Sequence, residues 1–183
     1  MGHAGFVLVG GESRRMGRDK ALLRAGSQPL AARVAACVRE AAGNVTLVGP
    51  VDRYMHLGFP VIADRVPGRG PLGGVYTALA ASAADWNLIV ACDMPRLTIG
   101  FLVALIEVAE ASEADCVVPQ DQFGMHPLCA AYHRRCAPLA AAAMNDNQLK
   151  MQEFALSLRC ERWSPELAGV LTNVNTPAEW EAL

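Results

Sequence analysis

The run "VLVGGESRRMGRDKALL", residues 7–23, places the glycine pair Gly10-Gly11 ahead of Arg14, Arg15, Arg18 and Lys20. Glycines let a backbone come close to a ligand. Planar guanidinium groups fork onto phosphate oxygens, and lysine adds a mobile point charge. Four cations beside a bare backbone suit a highly charged anion, such as a nucleoside triphosphate that loses pyrophosphate. A solvated basic turn is the competing reading. A Walker A loop is excluded because Lys20 is followed by Ala21, and Gly10, Gly11 and Gly17 do not form the G-x-G-x-x-G fingerprint of dinucleotide binders.

A second site of chemistry lies in "ACDMP", residues 91–95. An aspartate closing an apolar strand is badly placed for packing and well placed to offer a carboxylate to Mg²⁺, which binds through one or two carboxylates plus substrate phosphates. Helix capping would also explain Asp93, although Thr98 is the better cap. Asp64 closes another short apolar run and serves either a ligand or a surface pair with Arg65 or Arg69. "GRGPLGGV", residues 68–75, leads into a helix whose N-terminus favours anions. Its glycines fit ligand approach and tight helix–sheet packing equally. Asn173 and Asn175 in "NVNTP" offer either ligand contacts or local turn bonds. His126, before Pro127, reads as structural rather than catalytic.

Short β-branched runs alternate with Ala- and Leu-rich segments. Strands are expected near 5–10, 44–49, 59–64, 86–93 and 114–119, and helices near 29–43, 70–83 and 98–112. A returning strand is expected at 126–133, a helix around 137–144 and an edge strand at 157–163. Thr176, Pro177 and Glu179 announce a last capped helix. Strands that are apolar throughout belong in a parallel sheet covered on both faces. The fold class is therefore α/β, an open, doubly wound and mostly parallel sheet. Ligands of such sheets bind outside the carboxyl ends of the strands. Gly10, Asp64 and Asp93 are all expected at that edge.

The chain has 183 residues, which fit one domain spanning 1–183. A net charge of −2 gives no support to a nucleic-acid groove or an anionic membrane surface. No apolar run is long enough to span a bilayer, and no signal peptide is read at the N-terminus. The six cysteines form no C-x-x-C pair, so they read as free thiols in a reducing cytoplasm.

The chain resembles the molybdenum cofactor guanylyltransferases, nucleotidyltransferases with a Rossmann-like, three-layer, glycosyltransferase-A-like architecture. The resemblance is carried by "LVGGESRRMGRDKALL", "GPLGGVYTAL", "ACDMP", "HPLCAAY" and "NVNTPAEW", in the family's order from residue 8 to 180. It implies transfer of GMP from GTP to molybdopterin with release of pyrophosphate. Leu8, Val9, Gly10 and Gly11 would then present backbone to the nucleotide, while Lys20 and Arg15 would act on the phosphates. Asp64 would help bind GTP, Asp93 would hold Mg²⁺, and Asn173 and Asn175 would face the pterin. The partners implied are GTP, molybdopterin and, transiently, other cofactor-biosynthesis proteins or molybdoenzymes. Val9 stands where alanine is usual, the first loop is one residue short, and Val48 replaces an asparagine that some relatives place near the base. The Gly10-Gly11 pair resembles the GTP-using branch rather than the CTP-using one. The alternatives are a CTP-using molybdopterin cytidylyltransferase, another small-molecule nucleotidyltransferase such as one making a nucleotide sugar, and a catalytically silent nucleotide binder.

Overall fold

A computed structural model describes residues 2–10, 19–25, 28–165 and 169–171. Its strands are β1 (His3–Leu8), β2 (Arg24–Ala25), β3 (Gln28–Pro29), β4 (Thr46–Val48), β5 (Val61–Ile62), β6 (Trp86–Ala91), β7 (Cys116–Asp121), β8 (Gly124–Met125), β9 (Cys129–His133) and β10 (Cys160–Trp163). Its helices are α1 (Leu30–Ala42), α2 (Val51–Tyr54), α3 (Gly70–Ala81), α4 (Ile99–Ala111), α5 (Ala137–Asn145) and α6 (Met151–Ser157). The capping helix expected from Thr176 lies outside the described residues.

The main sheet runs β10-β7-β9-β6-β1-β4-β5, with β8 paired to β7. β1 is parallel to β4 and β6, β4 to β5, and β7 to β10. β9 runs antiparallel to both β6 and β7, and β8 antiparallel to β7. β9 is the returning strand expected near 126–133. β2 and β3 form a small separate antiparallel pair.

The two faces of the sheet carry two apolar layers. Val7, Leu88 and Val90 pack with Val34 and Val38 of α1 and Leu102 and Leu105 of α4. Phe6, Ile89 and Val118 pack on the other face with Leu72 and Val75 of α3, Met144 of α5 and Phe154 of α6. Successive strand residues point to opposite faces, and β6 is buried from Trp86 to Val90 because both faces are covered. The result is a three-layer α/β sandwich. Among the described residues no helix is long and apolar enough to cross a membrane.

Local signals end the helices where the pattern requires. Gly43 takes φ 75°, the left-handed conformation that closes α1 without a Cβ penalty. The Thr98 hydroxyl accepts the Phe101 N–H at 3.3 Å and caps α4. Asp93 is therefore free of that duty.

Candidate active site

The chain leaves β1 for β4 and β5 on one side, then returns to β6 on the other side of β1. That reversal opens a crevice at the carboxyl ends of β1 and β6. Gly10, Asp64 and Asp93 each stand two residues beyond the end of a strand, β1, β5 and β6 respectively. The three strands are parallel members of one sheet, so these residues share one edge.

At the end of β1 the backbone is largely committed. The Cys92 N–H donates to the Leu8 carbonyl at 3.3 Å, and the Val9 N–H donates to the Val48 carbonyl at 2.9 Å. The Val9 N–H and the Leu8 carbonyl at this strand end are thus already engaged within the sheet. Gly10 itself has φ 95°, and a Cβ there would stand 2.6 Å from Pro50 Cδ. Its glycine is demanded by the chain's own packing. Val48 is 3% exposed and packed in the core, so its side chain reads no base.

Asp93 is half-buried, and its Oδ1 is enclosed with no hydrogen-bond partner among the described residues. Burial raises its carboxyl above the ordinary range, and the Lys20 ammonium pulls it back down. Lys20 acts on Cys92 as well. The cation and the carboxylate thus share one electrostatic neighbourhood, although 73 positions separate them in the chain (93 − 20). An enclosed, unsatisfied carboxylate oxygen is costly unless something binds it, and a divalent cation fits that role. Among the described residues no group of three or more His, Cys, Asp or Glu side chains is arranged to hold a metal.

Asp64 is set from α3. Its Oδ1 accepts the Thr77 hydroxyl at 2.9 Å and the Val66 N–H at 3.0 Å, and the Thr77 oxygen in turn accepts the Arg65 N–H at 3.0 Å. The second oxygen faces Gly73, where a Cβ would stand 3.2 Å away. Arg69 donates to Asn147 at 3.2 Å. The glycines of α3 divide their work. Gly74 lets the helix settle on Leu8, whose Cδ2 would lie 3.1 Å from an added Cβ, while Gly73 clears space for the Asp64 carboxylate.

The β5 and β6 ends stand three strand spacings apart, about 14 Å. Asp64 and Asp93 therefore stand well apart along that edge. His126 lies at the same sheet edge, with Nε2 3.1 Å from Asp121 Oδ2. The Tyr132 hydroxyl holds the next residue's carbonyl, Pro127, at 2.8 Å. Burial pushes the Cys92 thiol up to about 12, so it is neutral and no nucleophile near neutral pH. Gly11, Arg14, Arg15, Gly17, Arg18, Asn173 and Asn175 lie outside the described residues.

Residues 5–158 match the family described as the MobA-like NTP transferase domain. The chain belongs to that family. A relative from Pelotomaculum thermopropionicum is 33% identical over 96% of this chain and 88% of its own, and one from Synechococcus elongatus is 34% identical over 100% and 98%. Both carry the name "Probable molybdenum cofactor guanylyltransferase". Among solved structures, molybdopterin-guanine dinucleotide biosynthesis protein A from Archaeoglobus fulgidus superposes with a TM-score of 0.85 at 21% identity, over 98% of this chain and 95% of that one. A Mycobacterium tuberculosis protein in complex with manganese superposes at 0.73 with 19% identity, over 100% and 97%. Both likenesses establish the fold. As a MobA-like NTP transferase, the chain is a nucleotidyltransferase enzyme.

Asp19 is a residue of this edge that the sequence pattern alone does not mark as part of a site. Asp19 precedes Lys20, and its Oδ2 accepts the Tyr54 hydroxyl at 2.7 Å. The Asp-Lys pair was visible in the chain, but its partner on α2 was not.

Proposed function

We propose that this chain transfers GMP from GTP to the terminal phosphate of molybdopterin, releasing pyrophosphate and forming the guanine dinucleotide form of the molybdenum cofactor. The supporting observation is the pairing of an enclosed, unsatisfied Asp93 oxygen with the Lys20 charge at the β1–β6 crevice. The names of the full-length relatives support the acceptor and the base.

The reaction is an in-line displacement at the α-phosphorus. A molybdopterin phosphate oxygen attacks, the bond to the bridging oxygen breaks, and pyrophosphate leaves with its electron pair. A phosphate monoester is ionised near neutral pH, so the attack needs little general-base help. Catalysis then rests on positioning and charge neutralisation. Lys20 stabilises charge gathering on the α-phosphate and leaving group, and Arg15 is assigned the same task. Asp93 would hold a bound Mg²⁺, which supplies Lewis-acid neutralisation of the phosphates. Asp64, fixed by Thr77, binds the nucleotide at the far end of the crevice, while the Gly10-Gly11 backbone lies along it. Asn173 and Asn175 are assigned to the pterin side.

One nucleotidyltransferase domain spanning residues 1–183 acts in the cytoplasm, in keeping with six free cysteines. Its partners beyond substrates are transient contacts with other cofactor-biosynthesis proteins or molybdoenzymes. The test is to mix the protein with Mg²⁺, molybdopterin and either GTP or CTP and follow pyrophosphate. Release with GTP and formation of the guanine dinucleotide is the expected result. Release with CTP alone would reassign the base, and release with neither would overturn the reaction.

A further inference from the structure

The turn that carries Lys20 is fastened to the body of the protein at both ends. At its exit, the Leu23 N–H donates to the Lys20 carbonyl at 3.1 Å, and the Leu30 N–H of α1 donates to the Leu23 carbonyl at 2.8 Å. At its entry, Asp19 divides its carboxylate between two tasks. Oδ1 accepts the Ala21 N–H at 3.1 Å and so caps the short 3₁₀ turn Lys20–Leu22. Oδ2 accepts the Tyr54 hydroxyl at 2.7 Å, with Arg53 Nη1 3.5 Å away.

Tyr54 is an unusual anchor. It ends α2, a four-residue helix directly beyond β4, yet it is 0% exposed. Its ring also packs beside Gly10, where a Cβ would meet Tyr54 Cε2 at 3.6 Å. A buried tyrosine needs a partner for its hydroxyl, and here the partner is the residue before Lys20. Burial, and then the Asp19 carboxylate, hold the phenol well above its ordinary pKa, so it remains a proton donor. One rigid ring therefore touches both segments that flank the first loop, Gly10 at its start and Asp19 at its end.

We infer that Asp19 and Tyr54 are positioning residues whose hydrogen bond sets the Lys20 turn against the β1–β4 edge, so that the ammonium meets the phosphates already oriented. This rests on the assignment of Lys20 to the phosphates. Misplacing a catalytic group by an ångström costs rate far more than binding. The clasp should therefore act on kcat.

The experiment uses the full chain with Mg²⁺, GTP and molybdopterin under single-turnover and steady-state conditions, with melting temperatures measured alongside. Tyr54→Phe removes only the hydroxyl and should lower kcat about tenfold, with KM for GTP changed less than about twofold. Asp19→Asn keeps an oxygen for the Ala21 cap and should give a similar loss. The deciding measurement is Tyr54→Phe in a Lys20→Ala background, where it should cost nothing more because the group it positions is gone. A further tenfold loss in that background would show a merely structural hydroxyl and overturn the inference. Native kcat in Tyr54→Phe, with Lys20→Ala impaired, would overturn it too. Full activity in Lys20→Ala would instead remove the phosphate role of Lys20 on which the inference stands.

Discussion

Asp93 is held at odds with its own stability. Its folded pKa is raised, chiefly by burial, so the fold favours the protonated acid. Stability tied to this group is therefore present below the carboxylate range and falls as pH rises through its folded pKa. In metal-free, nucleotide-free buffer near pH 7, Asp93→Asn should therefore unfold at the same or a higher temperature than the parent. Transfer should fall about a hundredfold or more, since the carboxylate assigned to hold Mg²⁺ against the phosphates is gone. Loss of melting temperature with normal turnover would remove the metal role. Gly10 makes the opposite case. Its φ of 95° and the 2.6 Å approach to Pro50 Cδ predict that Gly10→Ala costs about 2–4 kcal/mol in urea unfolding. Asp93 was legible because a carboxylate closing an apolar run breaks the packing pattern. The Asp19–Tyr54 bond was not, because its partners lie 35 positions apart and only the fold brings them together.

At the scale of elements, Asp115 ties three of them at the end opposite the crevice. It precedes β7 and binds Arg135, which follows β9, through Nε at 2.6 Å. It also accepts from the Arg159 side chain, ahead of β10, at 3.0 and 3.2 Å, and from the Arg159 N–H at 3.1 Å. These bonds, above all those from Arg159, hold its carboxyl well below the usual carboxylate range despite burial. A depressed folded pKa contributes stability above the unfolded value, roughly 4, that is lost as pH falls below it. Asp115→Asn should cost about 2 kcal/mol at neutral pH and flatten the acid limb of the stability curve. An unchanged acid limb would refute that assignment. Thr77→Val should raise KM for GTP several-fold with a small loss of stability, because Asp64 loses the hydroxyl that orients it. The long elements were readable from apolar runs and from Gly43 and Thr98. α2 and α6 were not, being only four and seven residues long and lacking a side-chain cap. Helices that short have little periodicity of their own and owe their stability to packing.

Across the whole molecule, the sheet is the shared wall of two apolar layers, so neither layer can open without exposing it. Leu102→Ala in one layer and Leu72→Ala in the other each remove a fully buried side chain and should cost about 2–5 kcal/mol. Both should shift a single unfolding transition, seen alike by circular dichroism and tryptophan fluorescence. Two separate transitions would mean that the layers are independent. The α/β layering and the shared strand edge were visible in the alternation of segments. The place of β9 between β6 and β7 was not, since strand order depends on pairings distant in the chain.

The central position of β1 has a consequence for biosynthesis. Its first neighbour, β4, follows after one helix, whereas its other flank waits for β6, where His3 meets Trp86. A nascent chain leaving the ribosome therefore carries an unpaired hydrophobic flank until Ala91 has emerged, and such flanks invite chaperones or wrong partners. Synonymous changes that stall translation between codons 49 and 85 should lower the soluble yield, while the same stalls placed after codon 133 should not.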